Sequence, residues 1–199
     1  MISLLFVCTG NICRSPMAEG FTRQLLEGVA GDFEVGSAGI MGWEGMGPTP
    51  ESVTAAEERG VDISSHVARK LSPSDLARAD LVVCMAGDHR ETVVRMAPEA
   101  ETKTFTLKEL VRLLEELPPE DDLDTPTSQR VLRSIQAADA LRRSGFEGDP
   151  ADEDVSDPIG MSQEMYRAIA WDIEEWCRRM VNGFLVRTVA ARRVAEREA

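Results

Sequence analysis

The sequence predicts an α/β protein in which a parallel sheet is covered by helices on both faces. Short apolar runs alternate with stretches of helical periodicity, the pattern that such a sheet requires. The opening run, Ile2-Ser3-Leu4-Leu5-Phe6-Val7, is apolar almost without a break, as in a strand buried on both sides. At 199 residues, 43% hydrophobic and 29% charged, the chain has the size and composition of one globular domain with a substantial core.

Ile2 to Val7 is the first strand. A turn follows, and a helix opens at Ser15-Pro16, with Pro at the favoured first helical position. Phe33 to Ser37 reads as the second strand, running into Ser37-Ala38-Gly39, and a helix runs from Thr49-Pro50 to about Gly60. Leu81-Val82-Val83-Cys84-Met85 is the third strand, with a helix from Asp88 to Ala97 after it. Lys103 to Thr106 is the fourth strand. Leu107 to Leu117 is then helical, with Leu107, Leu110, Val111 and Leu114 at spacings of three and four.

The stretch 118–156 differs in character. It begins with Pro118-Pro119-Glu120-Asp121-Asp122 and ends with Gly148-Asp149-Pro150 and further acids. Between them Val131, Leu132, Ile135, Ala138 and Leu141 form a narrow apolar helical face. Two readings stand: a surface insertion with mobile flanks, or a lid or docking element. From Ser162 a long helix carries Met165, Ile169, Ile173, Trp176 and Met180 as a core stripe, and 187–199 is a charged C-terminal extension. The whole is read as one domain.

The chain is acidic, with 35 Asp+Glu against 22 Lys+Arg and a net charge of −13. That balance excludes a nucleic-acid partner, which needs a basic footprint. A phosphorylated partner remains compatible, because local N–H groups and one arginine outweigh a distant field. The acids at both ends of the insertion, Glu115, Glu116, Asp121, Asp122, Asp152, Glu153 and Asp154, read first as a solvated charge run. Four cysteines are too scattered for a disulfide scaffold; Cys84 and Cys177 read as buried thiols. With two histidines, His66 and His89, and no metal-ligand spacing, neither a metal nor another cofactor is expected. The apolar opening is too short for a membrane span and lacks a basic flank, so a cytoplasmic location without membrane contact is expected.

The chemistry lies in Val7-Cys8-Thr9-Gly10-Asn11-Ile12-Cys13-Arg14-Ser15-Pro16. A cysteine ends a buried strand, five residues follow, then an arginine and a helix start. Ligands of open parallel sheets bind at the carboxyl ends of strands. N–H groups of such a loop and the helix N-terminus favour an anion and the thiolate of Cys8, a nucleophile. Arg14 is suited to grip two phosphate oxygens. Ser15 is near enough to donate to the sulfur or cap the helix, and Gly10 and Asn11 tolerate left-handed backbone. Thr9, Gly10, Asn11, Ile12, Cys13, Arg14 and Ser15 are thus the candidate phosphate-binding residues.

CTGNICRSP resembles the catalytic loop of low-molecular-weight protein tyrosine phosphatases, and MAEG, Ser37-Ala38-Gly39, Trp43, the segment from Asp62 to Arg69, and Asp157-Pro158 extend the resemblance. It implies a flavodoxin-like, four-stranded parallel sheet and hydrolysis of phosphotyrosine in proteins. In that scheme Cys8 attacks phosphorus, Arg14 and the loop amides hold the oxygens, and Asp157 is general acid and then base. Asn11, Ser37 and His66 are similar to the polar groups that brace the loop, and Trp43 walls the cleft. The chain has two Asp-Pro pairs, Asp149-Pro150 and Asp157-Pro158; the spacing of Asp157 to the last helix favours it. Ile159 stands where many members carry an aromatic, leaving one cleft wall aliphatic. The resemblance further implies either a reversible disulfide of Cys13 with Cys8 or simple packing of Cys13 beneath the loop. Three rival readings stand beside this one. A protein arginine phosphatase would tend to carry Thr where Ile12 stands. An arsenate reductase would need a resolving cysteine pair near Cys84, which is alone there. A binding module would lack Cys8 or Asp157.

Overall fold

Alternation along β1 (Ile2–Cys8) divides the interior into two cores. Ile2, Leu4, Phe6 and Cys8 face the larger core, and Leu5 and Val7 face the smaller. The computed structural model describes residues 1–29, 33–118, 124–146 and 153–185. β1 pairs in parallel with β2 (Phe33–Gly39) on one side and β3 (Leu81–Cys84) on the other. β3 pairs with β4 (Thr104–Thr106), giving a four-stranded parallel sheet in the order β2-β1-β3-β4. The chain therefore leaves β1 toward one edge and later returns to its other flank. That reversal opens a crevice at the carboxyl ends of β1 and β3.

Helix α1 (Arg14–Leu25), α5 (Leu107–Glu116) and α7 (Gln163–Leu185) cover the larger core, with α2 (Pro50–Glu57) packed on α7. The smaller core gathers Leu71, Leu76 and Ala79 around α3 (Pro73–Arg78), and Val93 and Ala97 from α4 (Gly87–Met96) and its end. α5 starts on a capping box in which Thr106 accepts from Glu109 N and Glu109 reaches back. α1 has no side-chain cap, so its first N–H groups stay available beside the loop that precedes it.

Several boundaries differ from the sequence reading. α2 stops at Glu57, and the chain turns through Gly60 at φ 82°. Lys103 belongs to a 3-10 turn (Pro98–Lys103), which leaves β4 only Thr104–Thr106. α3 was not anticipated; its signal was Ser72-Pro73-Ser74-Asp75, another capping box with Pro at its start. On α7 the buried stripe is Tyr166, Ile169, Ile173, Cys177, Met180 and Phe184, while Met165 is exposed and Trp176 only half-buried.

Within 118–156, α6 (Thr127–Arg143) buries Val131, Ile135 and Ala138 in the larger core against α5 and α7; Leu132 points outward. The acidic flanks 119–123 and 147–152, with Asp149-Pro150, and the extension 187–199 lie outside the described residues. Ile135→Ala is expected to lower the unfolding free energy by about 2–4 kcal/mol, measured in urea. A change below about 0.5 kcal/mol, usual for surface sites, would place α6 outside the cooperative core.

Candidate active site

The loop between β1 and α1 is shaped by where its carbonyls go. Thr9 O accepts from Met41 N (3.0 Å), Gly10 O from Trp43 N (3.1 Å), Ile12 O from Thr49 N (3.0 Å) and Cys13 O from Met17 N (3.2 Å). Asn11 O accepts from His66 Nε2 at 3.0 Å. Because a trans peptide holds its N–H opposite its C=O, five outward carbonyls leave the following N–H groups facing inward. One of them, Asn11 N, lies 3.3 Å from Cys8 Sγ. Asn11 makes the tightest part of the turn in left-handed backbone, φ 60°.

The Asn11 side chain orients the polar network beneath the loop. Its Oδ1 accepts from Arg69 N (3.0 Å), so its Nδ2 must donate, to Ser15 Oγ at 3.0 Å and Ser37 Oγ at 2.8 Å. Each hydroxyl then has its own hydrogen to give. Ser37 gives it to Glu19 Oε2 at 2.5 Å, and Ser15 gives it to Cys8 Sγ at 3.0 Å. The sulfur thus receives two donors. Gly39 is required under this loop, since a Cβ there would meet Thr9 O at 2.7 Å.

Arg14, almost fully buried, reaches across to the segment before α7. Its Nη1 donates to Val155 O at 3.0 Å and its Nη2 to Asp157 Oδ2 at 2.6 Å. Asp157 also accepts from Ile159 N at 3.2 Å, so it starts a turn as well as pairing with Arg14. Cys8, Thr9, Gly10, Ile12, Cys13, Arg14, Trp43, Asp157 and Ile159 line one cleft of about 160 Å³. Trp43 lies over Gly10, whose added Cβ would stand 3.5 Å from the indole. Every candidate residue of the sequence reading is therefore in the cleft or directly beneath it. A larger groove, about 350 Å³ between α1 and residues 60–66, is lined by Glu19 and His66 and shares no residue with the cleft.

The other thiols differ from Cys8 in their surroundings. Burial pushes the Cys84 thiol far above the ordinary range and Cys177 up to about 12. Cys13 is also raised by burial, and its sulfur sits 3.6 Å from Thr49 Oγ1 and 3.8 Å from Tyr166 OH. It is a free thiol in this structure and borders the cleft.

His89 escaped the sequence reading. It sits on the first turn of α4, at the carboxyl end of the strand next to β1, where a crevice residue could have been sought. Its Nε2 is 2.9 Å from Thr9 Oγ1, and its buried Nδ1 has no partner among the described residues. Glu153 and Asp154 were also misplaced as solvated charge: Glu153 accepts from Thr106 Oγ1 at 2.7 Å and pairs with Arg112, and Asp154 accepts from Gly87 N at 2.8 Å. Glu115 pairs with Arg179.

A thiol at the floor of an inward-facing amide loop, with a guanidinium beside it and a carboxyl at the mouth, defines a cysteine-dependent phosphatase. Comparison with known proteins narrows the class. The family model for low molecular weight phosphotyrosine protein phosphatase matches residues 3–138. A probable low molecular weight protein-tyrosine-phosphatase of Ralstonia solanacearum is 34% identical over 141 residues, 71% of this chain and 89% of the relative. A protein-arginine-phosphatase of Geobacillus stearothermophilus is 31% identical over 178 residues, 89% of this chain and 92% of the relative. Among solved structures, a low molecular weight protein tyrosine phosphatase from T. tengcongensis superposes with TM-score 0.68 at 34% identity, covering 92% of this chain and 99% of that one. The YwlE mutant from Bacillus subtilis gives the same TM-score, 0.68, at 27% identity, covering 92% and 97%. The chain belongs to the low-molecular-weight phosphotyrosine protein phosphatase family, and it is a hydrolase of the cysteine-dependent kind.

Burial above all, then the charge of Arg14, lowers the His89 pKa from 6.5 to about 4, against the opposing pull of Asp154, Asp157 and Asp88. The unfolded chain takes up this proton near pH 6.5 and the folded protein only near 4. Stability is therefore full above 6.5 and declines as pH falls through that window, by about 3 kcal/mol. Urea unfolding between pH 7.5 and 4 should show the decline, and His89→Gln should flatten it. An equal slope in both proteins would assign the acid sensitivity elsewhere.

Proposed function

We propose that the protein removes phosphate from phosphotyrosine in protein substrates, with Cys8 as nucleophile and Asp157 as proton donor. The observation that carries this is the joint placement of a doubly hydrogen-bonded Cys8 sulfur and the Arg14–Asp157 pair at 2.6 Å in one small cleft. A phosphate dianion entering the loop meets the inward amides and competes with Asp157 for Arg14. Losing that partner, the Asp157 carboxylate takes up a proton from solvent and faces the leaving oxygen. Cys8 Sγ attacks phosphorus, the P–O bond breaks, and Asp157 gives its proton to the departing phenolate. In the second half Asp157 takes a proton from water, which attacks phosphorus. The S–P bond breaks, releasing inorganic phosphate and the thiolate, to which Ser15 donates.

The cleft walls favour a ring over a guanidinium. Ile12, Trp43 and Ile159 are apolar, and Asp157 is the single carboxylate lining the cleft among the described residues, already engaged by Arg14. A phosphorylated arginine side chain would bring a cationic group with no carboxylate other than the proton donor Asp157 to meet it among the described residues.

Phosphate release from a phosphotyrosine peptide, without added metal, should fall by about 10⁴-fold in Cys8→Ser. The wild type should prefer phosphotyrosine to phosphoarginine, and Ile12→Thr should narrow that preference. Faster turnover of phosphoarginine by the wild type would reverse the substrate assignment while leaving the Cys8 chemistry intact.

A further inference from the structure

The segment that delivers Asp157 has no regular secondary structure, yet four of its five residues from Glu153 to Asp157 are fastened to different elements. Glu153 is held at the end of β4 by Thr106 and on α5 by Arg112. Asp154 Oδ1 accepts from Gly87 N at 2.8 Å. Val155 N donates to Met85 O at 2.8 Å, and Val155 O accepts from Arg14. Asp157 itself is nearly half exposed, and its one charged partner among the described residues is Arg14.

We infer that Asp154 is a positioning residue for the proton donor, fixing through its bond to the start of α4 where the Asp157 carboxyl stands over the loop. This rests on the reading of Asp157 as that donor. α4 supplies no cap of its own, because the residue before it, Ala86, has no side-chain oxygen. Asp154 fills that place from 67 residues further along the chain, where an unpaired N–H and the helix dipole both favour a carboxylate. The same first turn carries His89, which touches Thr9. One turn of helix thus holds the phosphate loop and the acid segment in register. The need for Asp154 is greatest once substrate is bound. Phosphate then claims Arg14, and Asp157 keeps only the turn bond from Ile159 N; the anchors to other elements that remain among the described residues are Asp154 on Gly87, Val155 on Met85 and Glu153 outside them. A proton donor must stay within about 2.6–3.2 Å of its target, and slack of about 1 Å upstream is enough to lose it.

A cap that merely stabilised α4 would slow all substrates alike, whereas a displaced acid penalises esters whose leaving group needs a proton. The test is kcat/KM for phenyl phosphate and for dinitrophenyl phosphate, whose leaving group departs unaided. Asp154→Ala should cost about 10-fold on the phenyl ester, part of the whole contribution of a general acid, and far less on the dinitrophenyl ester. Asp154→Asn, which keeps an oxygen for Gly87 N, should recover most of the loss. In an Asp157→Asn background Asp154→Ala should add little, because both changes remove one function. If Asp154→Ala does not fold, Asp154→Ser, a good cap of shorter reach, carries the same comparison. Equal losses on both esters, or additive losses in the double variant, overturn the inference and leave Asp154 a cap. If Asp157→Asn alone shows no leaving-group dependence, the donor reading fails and takes the inference with it.

Discussion

Five carbonyls, from Thr9 to Cys13, are drawn outward by the chain around the loop, and the proposed catalytic chemistry depends on that constraint. Their partners come from separate places: the stretch after β2, the approach to α2, His66, and α1 itself. A loop of inward amides without a bound anion would be costly if it had to hold itself open. Here the surroundings fix its shape beforehand, so on the proposed reading phosphate meets donors already in position rather than organising them. Asn11 is the hinge of this arrangement. Its left-handed backbone makes the turn, and its amide sets the direction of each hydrogen from Glu19 through Ser37 and from Ser15 to the sulfur.

The fold contributes a place where distant segments converge. β1 ends at Cys8, and its neighbour β3 ends beside it, so α1 and α4 both start at the same crevice. The two helix starts serve different halves of the site. α1 leaves its first N–H groups uncapped beside the phosphate loop, while α4 receives Asp154 from the acid segment. Arg14 then joins the halves through Val155 and Asp157. The two halves of the site are connected by one buried guanidinium.

Much of this was legible in the sequence because it rests on local patterns. The apolar run of β1, Pro16 just inside α1, and the spacing of Cys8 to Arg14 are readable without tertiary knowledge. Asn11, Ser37 and His66 were anticipated through family resemblance, though their donor directions needed the geometry. What escaped depends on contacts far apart along the chain. Nothing near His89 announces Thr9, 80 residues away, and no local pattern tells Asp154 at a helix start from an acid in solvent. The core stripe of α7 was rotated in the reading because Met165 is apolar but faces outward, while Tyr166 is the residue beneath the loop. α3 was missed for its length of six residues, too few for periodicity to register.

The central claim is that phosphate passes through the Cys8 sulfur. Rapid acid quench of the Asp157→Asn protein during turnover of dinitrophenyl phosphate, followed by peptide mass spectrometry, examines this most directly. The ester forms the intermediate without a proton donor, and loss of the base slows its hydrolysis. A phosphate on the peptide containing Cys8, at the sulfur, is the predicted result. Phosphate release with Cys8 unmodified throughout, or the label on Cys13 instead, would contradict the account.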